Sequence, residues 1–154
     1  MAASDDAEQQ LAAFLAKYSP EIAEQGRAAV DRLAVRLPWA DRLVYDNYNA
    51  LAVGFGPGER PSDAIFSIAL FPKWVTLFFL KGAALPDPDG LLEGKGSTVR
   101  SIRLIDGAPD LERPDVQAMI DLALASEGQP ADPVRKGRLV IKSISAKQRP
   151  RKPA

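Results

Sequence analysis

Cysteine and histidine are both missing from this chain of 154 residues. Without cysteine the protein can form no disulfide, no thiolate metal site and no cysteine nucleophile, a pattern that fits a reducing compartment. Without histidine, Ser-His-Asp and Cys-His mechanisms and histidine-ligated zinc are excluded. Any metal site would have to use carboxylate oxygens, which suit hard cations or iron better than zinc.

Long apolar runs are absent as well, and none approaches the roughly 20 residues that a membrane-spanning helix needs. The N-terminus is acidic rather than basic, so it does not have the form of a signal peptide. The formal net charge is zero, with 20 Lys and Arg against 20 Asp and Glu. We therefore expect a cytoplasmic protein without a membrane partner, large enough to bury a core in one domain.

The charges are unevenly distributed along the chain. Residues 135–154 carry eight basic residues and no acidic ones, whereas residues 106–132 carry seven acidic residues and one basic residue. The simplest interpretation is a solvated tail beside an acidic helix. A nucleic-acid contact through the tail is the alternative, but the tail lacks aromatic residues that stack on bases, so we do not expect that partner. We predict a single domain over residues 1–134, followed by a basic segment, 135–154, with an edge strand and then a flexible tail.

The most apolar part of the chain lies between residues 64 and 104. Two strand-like runs, Ala64 to Phe71 and Trp74 to Lys81, flank Pro72-Lys73, which predicts a β-hairpin. The second run is apolar on both faces, the pattern of a central strand that is covered on both sides. We therefore expect helices to cover one face of the sheet, and a ligand, a partner or the chain's own tail to cover part of the other.

Periodicity predicts three helices and further strands around this hairpin. Helices are predicted over residues 5–17, 20–37 and 114–126, where apolar residues recur at the spacing of one helical face. Additional strands are predicted at 42–48, 49–56, 98–105 and, at an edge of the sheet, 138–144. Together these elements indicate an α+β domain.

Small side chains share one face in two of the predicted strands. Ala50, Ala52 and Gly54 alternate in one strand, and Ser67 and Ala69 alternate in another. If these faces lie side by side, the sheet carries a shallow trough with a floor of small side chains. The trough would either seat a helix, the interpretation that we favour slightly, or bind a ligand or a peptide.

Four polar residues are candidates for contact with a ligand on this sheet: Asp46, Tyr48, Lys81 and Arg100. The alternative is an ordinary polar rim. Asp46 with Lys81, or Glu93 beside Gly94-Lys95-Gly96, could also supply acid–base groups to an enzyme. The spacing of a phosphate-binding P-loop is absent around Lys95, however, so a plain turn explains those glycines. We therefore expect no enzyme and assign no catalytic residue.

The hairpin's second strand and the loop after it resemble the YdhG-like family of bacterial domains of unknown function. The resemblance rests on four stretches: Lys73–Ala83, Leu85–Pro88, Leu91–Gly96 and Val99–Ile102. There is a further likeness in the basic segment at Ile141–Arg149. It covers most of the chain between residues 38 and 104. No agreed catalytic residues exist for the family, so none is transferred to this chain.

The resemblance implies an antiparallel sheet of five or six strands with helices packed on one face, a two-layer sandwich similar to frataxin. It also implies iron binding or an iron-chaperone role through surface carboxylates, for which the matching residues on the first helix are Asp5, Asp6 and Glu8. Such a site needs several oxygens that converge on the cation. Our leading hypothesis is a module that binds an unknown small ligand or protein partner, and the apolar second face would allow a homodimer.

Overall fold

The computed structural model describes residues 2–128, 130, 132 and 134–153, and the side chains from residue 6 onward. In this part the chain forms three α-helices, which are α1 (Ala2–Leu15), α2 (Pro20–Arg36) and α3 (Pro114–Glu127). The strands are β1 (Asp41–Asp46), β2 (Leu51–Gly56), β3 (Phe66–Leu70), β4 (Val75–Phe79), β5 (Arg100–Arg103) and β6 (Leu139–Ile144). None of the described helices is both long enough and apolar enough to cross a membrane.

The α+β class is confirmed, and the six strands form one sheet in the order β5-β4-β3-β2-β1-β6. Strands β1 to β5 pair antiparallel with their sequence neighbours. At the other edge β6 pairs parallel with β1, so the sheet is mixed and the prediction of a purely antiparallel sheet was wrong. The reason is that α3 and a connecting segment separate β5 from β6, and a connection of that length lets a strand enter from either end.

The hairpin around Pro72-Lys73 is confirmed. Strand β3 pairs antiparallel with β4, and Leu70 lies opposite Val75 at the end next to the turn. The amide of Phe71 donates a hydrogen bond of 2.9 Å to the carbonyl oxygen of Trp74, which closes the turn. Proline suits this position because its fixed φ favours a turn and its missing amide hydrogen is not needed in the ladder.

One glycine of α2 shows which face of the sheet the helices cover. A Cβ added at Gly26 would lie 2.3 Å from Cδ2 of Leu70, so the helix backbone contacts this side chain of β3 directly. The pattern agrees with a single buried core that combines side chains of all three helices with Leu51, Ile68 and Leu77 from the centre of the sheet. The apolar stripes of the helices therefore supply one layer of the sandwich, and one face of the sheet supplies the other.

The predicted trough of small residues exists but does not seat a helix. Ala52 lies opposite Ala69, and Gly54 lies opposite Ser67, so the small faces of β2 and β3 are side by side. Because neighbouring side chains of a strand alternate between faces, Ala69 points away from the face on which Leu70 contacts α2. The interpretation that the trough seats a helix was therefore wrong. The homodimer through this second face stays a prediction.

Candidate functional site

The four predicted ligand contacts lie at two opposite ends of the sheet. Asp46 is the last residue of β1, and Tyr48 follows in the β1–β2 turn with 53% of its surface exposed. Arg100 begins β5 opposite Phe79, the last residue of β4, and Lys81 follows two residues later. The antiparallel register puts the β1–β2 turn and the end of β4 at opposite ends of the strands. A single small ligand cannot contact all four side chains.

Lys81 and Arg100 are each engaged in contacts within the fold. The Lys81 ammonium lies 3.1 Å from Oε2 of Glu127 at the end of α3. The Arg100 guanidinium donates hydrogen bonds of 2.6 Å and 2.8 Å to the carbonyl oxygens of Gly96 and Val99. These contacts fasten α3 and the loop before β5 to this end of the sheet.

Asp46 is also engaged, as the acceptor of a buried ion pair. Its carboxylate has no exposed surface and lies 3.0 Å from Nη2 of Arg151, whose side chain is 4% exposed. Its second oxygen lies 2.6 Å from the ammonium of Lys17, just after α1. Burial acts to raise the pKa of Asp46, but the hydrogen bonds from Lys17, Gln148 and Arg151 outweigh it and hold the pKa below its ordinary value. We infer that Asp46 serves mainly to hold the fold together.

The partners of Asp46 bring the C-terminal segment onto the β1–β2 turn. Residues 148–153, for which a flexible tail was predicted, include two arginines that contact this turn. The amide of Arg149 donates to the carbonyl oxygen of Tyr48 at 2.8 Å, and the Arg151 guanidinium donates to that of Asn47 at 2.6 Å. Because a buried carboxylate needs a paired cation, Asp46 provides a reason for this segment to be held in place.

A cavity of about 720 Å³ opens between this segment and the β3–β4 turn. We name it the turn–tail groove. Its lining comes from the two turns at this end of the sheet and from the C-terminal segment: Asn49, Phe71, Pro72, Lys73, Trp74, Arg149, Pro150, Lys152 and Pro153. None of the predicted contact residues is among them. The groove therefore joins two parts of the chain that sequence analysis treated separately.

Two aromatic side chains line the groove, and one of them also contacts an arginine outside it. The ring centroids of Phe71 and Trp74 are 5.7 Å apart, with 35° between the ring planes. The guanidinium carbon of Arg103 lies 3.9 Å from the centroid of the Trp74 ring, a cation–π contact. Trp74 also lines a second cavity of about 660 Å³, to which Arg103 contributes and Phe71 does not. Trp74 thus lines both cavities and contacts Phe71, which lines the first, and Arg103, which lines the second.

The charge of the groove is entirely positive among its lining residues. Lys73, Arg149 and Lys152 are all exposed, and no Asp or Glu lines the cavity. Within the described part of the chain, none of these three cations forms an ion pair with a carboxylate. Lys17 and Arg151, a short distance away in the same region, are by contrast both paired with Asp46. The groove therefore offers cationic and aromatic groups together.

A buried tyrosine fixes the strand ends that carry the aromatic residues. The Tyr18 hydroxyl donates a hydrogen bond of 2.8 Å to the carbonyl oxygen of Leu70 and accepts one of 3.0 Å from the amide of Leu51. Burial raises the pKa of Tyr18, so the hydroxyl keeps its proton for this contact. Because Phe71 directly follows Leu70, the bond to Leu70 also positions one wall of the groove.

The three carboxylates predicted to bind iron are on α1. Asp6 accepts a hydrogen bond from Gln10, and Glu8 lies 3.0 Å from Arg27 and 3.7 Å from Arg42. The side chain of Asp5 lies outside the described residues. In the portion of the chain described here, no three Asp or Glu side chains are grouped so that they could hold a metal ion. Iron binding stays a prediction.

Sequence analysis missed the groove because it separated the two signals that mark it. The basic tail was noted for its lack of aromatic residues, and the hairpin was interpreted through its strands rather than its turn. Phe71 and Trp74 flank the turn residue Lys73, so a cation already lies between two aromatics in the sequence. That local pattern was the available signal. Its pairing with the tail could be seen only once β6 and Arg151 had been placed.

Comparison of the chain with protein-family models, with curated proteins and with solved structures finds no match. The function must therefore be inferred from the geometry of the turn–tail groove.

Proposed function

We propose that this domain is a binding module for a small anionic ligand, held in the turn–tail groove. One observation carries the proposal. Three exposed cations, Lys73, Arg149 and Lys152, line a single cavity, and the described lining residues include no Asp or Glu. The volume of this cavity is typical of sites for small molecules, since such sites have volumes of roughly 300–1,000 Å³.

Electrostatics explains why an anion suits this place. Like charges that share a cavity repel one another, and an anion between them replaces repulsion with attraction. Exposed salt bridges contribute little singly, but several cations that converge on one anion add their contributions. The C-terminal segment is also held by Arg151 before any ligand arrives, so part of the ordering cost is already met.

Calorimetric titration with inorganic pyrophosphate tests the proposal. The test variant combines Lys73→Ala, Arg149→Ala and Lys152→Ala. We expect it to bind at least about tenfold more weakly than the unmodified chain, because each hydrogen bond to a charged group contributes about 1.5–3 kcal/mol. The measurement belongs at low ionic strength, because salt screens exposed charges.

A control variant removes the same charge elsewhere. Lys95, Lys136 and Lys142 are exposed and lie outside both cavities, and their replacement by alanine lowers the net charge by the same amount. We expect this variant to bind pyrophosphate as the unmodified chain does. Equal weakening in both variants would mean that pyrophosphate responds to net charge rather than to the groove. Absence of binding to the unmodified chain would refute the proposal directly.

We also propose that the chain is a YdhG-like domain with a frataxin-like two-layer arrangement and a cytoplasmic location. The sequence of residues 73–102 supports the family, and the packing of helices on one face of the sheet agrees with the arrangement. The lack of cysteine supports a reducing compartment. Iron handling by Asp5, Asp6 and Glu8 remains the alternative function, and titration with ferrous iron would test it.

A further inference from the structure

We propose that the anionic ligand is a nucleotide with a diphosphate or triphosphate group. Its base would contact Phe71 and Trp74, and its phosphates would contact Lys73, Arg149 and Lys152. This inference rests on the proposed function, since it identifies the ligand of the same groove. The observation that carries it is the juxtaposition of an aromatic pair and a cationic cluster in one cavity.

The aromatic side of the groove calls for more than an inorganic anion. Phe71 and Trp74 are only half-buried, although aromatic rings gain from full burial. A planar, apolar group on the ligand would cover this surface. A nucleobase is such a group, and every base can stack on an aromatic ring. The Asn49 amide lines the same cavity and can both donate and accept hydrogen bonds at the edge of a base.

One of the two contacts of Trp74 comes from outside the turn–tail groove. Arg103 contacts the indole from the second cavity and does not line the turn–tail groove. The ring is therefore held by a neighbour that a ligand in the groove would not have to displace. A site whose side chains are already in place binds with a smaller loss of conformational freedom. Tyr18 adds to this order by fixing the strand that leads into Phe71.

The overall charge favours a single nucleotide over a nucleic-acid strand. The chain carries 20 basic and 20 acidic residues, so it has no net positive field to attract a long polyanion. Lys73, Arg149 and Lys152, which form no ion pair within the described residues, line one cavity of about 720 Å³, a volume suited to a small molecule. A short, multiply charged phosphate group matches a compact cluster of three cations.

Titration with ADP, adenosine and pyrophosphate separates the contributions of base and phosphate. The buffer should contain EDTA, so that no metal ion bridges phosphate to a carboxylate. We expect ADP to bind about tenfold more tightly than pyrophosphate, because base stacking on an aromatic ring adds to the charge contacts. We expect adenosine, which lacks the phosphates, to bind more weakly than either.

Phe71→Leu removes the ring and keeps an apolar side chain of similar size. We expect it to weaken ADP binding several-fold, with Trp74 remaining as a stacking partner, and to leave pyrophosphate binding unchanged. Phe78→Leu is the matched control, because Phe78, in β4, is half-buried like Phe71 but lines neither cavity. Circular dichroism of both variants would verify that each retains the fold.

The possible results distinguish this inference from the proposed function. If ADP and pyrophosphate bind equally, or Phe71→Leu weakens both to the same extent, the nucleotide is refuted while the anion site stands. If neither binds, both are refuted. If hexathymidylate binds more tightly than ADP and Phe71→Leu removes that advantage, the ligand is single-stranded nucleic acid and the small-nucleotide proposal is overturned.

Discussion

Arg149 and Arg151 are two residues apart in the C-terminal segment and have opposite environments. The Arg151 side chain is 4% exposed and is paired with a carboxylate that has no exposed surface. The Arg149 side chain is exposed and has no ion pair with any carboxylate in the described residues. Only the backbone of Arg149 is fixed, through the hydrogen bond from its amide to Tyr48.

The difference shows that one short basic segment has two separate physical tasks. Arg151 compensates the buried charge of Asp46, so its electrostatic interaction stabilises the fold and is not available to a ligand. Arg149 and Lys152 remain in contact with solvent, where a mobile anion can reach them. The buried arginine holds the exposed cations at the rim of the groove. Changes to the two groups should therefore affect different properties, stability for the first and ligand binding for the second.

Removal of the buried carboxylate should have the largest effect. We expect Asp46→Asn to lower the free energy of unfolding by about 3–5 kcal/mol, because Arg151 then stays buried without an anionic partner. Urea unfolding followed by circular dichroism measures this loss. Asp89→Asn is the control, because Asp89 is exposed in a loop and should cost little. A loss below about 1 kcal/mol in Asp46→Asn would mean that the pair does not hold the segment.

Acid should reduce the contribution of Asp46 to stability, and we expect this effect to be smaller than that of replacing the residue. The pKa of Asp46 is lowered in the folded protein, since the hydrogen bonds from Lys17, Gln148 and Arg151 outweigh burial. A lowered folded-state pKa gives stability that is present above the unfolded value, about 3.9, and is lost as the pH falls through the folded value. We therefore expect the difference between the unmodified chain and Asp46→Asn to stay constant from pH 7 to 5 and to shrink below pH 4.

Unfolding experiments at pH 7, 5 and 3 would follow that difference. Other carboxylates also protonate in acid, but they do so in both proteins and cancel from the comparison. A difference that remains at its full size at pH 3 would show that Asp46 does not carry the buried charge.

The fold was predicted where the signal was local. Alternation along single strands was enough to predict the hairpin at Pro72-Lys73 and the small faces of β2 and β3, because the period of two is a property of neighbouring residues. The parallel pairing of β6 was not predicted, since it depends on how a long connection returns to the sheet. The ion pair of Asp46 and Arg151 joins residues 105 apart, and no local pattern specifies such a partner.

The turn–tail groove was not predicted from the sequence for the same reason, because it depends on residues that are far apart in the chain. The burial of Asp46 is a second cause. Asp46 was correctly noted as a polar residue on a strand and was interpreted as a ligand contact. Its burial could not be read from the sequence, because burial of a carboxylate depends on whether a distant cation reaches it. When Arg151 reaches Asp46, Arg149 and Lys152 are placed near the β3–β4 turn, and the turn–tail groove forms there.

Removal of the exposed cations should have the smallest effect on stability. We expect Arg149→Ala combined with Lys152→Ala to change the free energy of unfolding by no more than about 0.5 kcal/mol, because surface substitutions without partners rarely do more. Alanine keeps the amide of residue 149, so the hydrogen bond to Tyr48 survives. The same variant should bind pyrophosphate more weakly than the unmodified chain. If it lost stability as Asp46→Asn does, the two arginines would share one structural task and the groove would have no cations to offer a ligand.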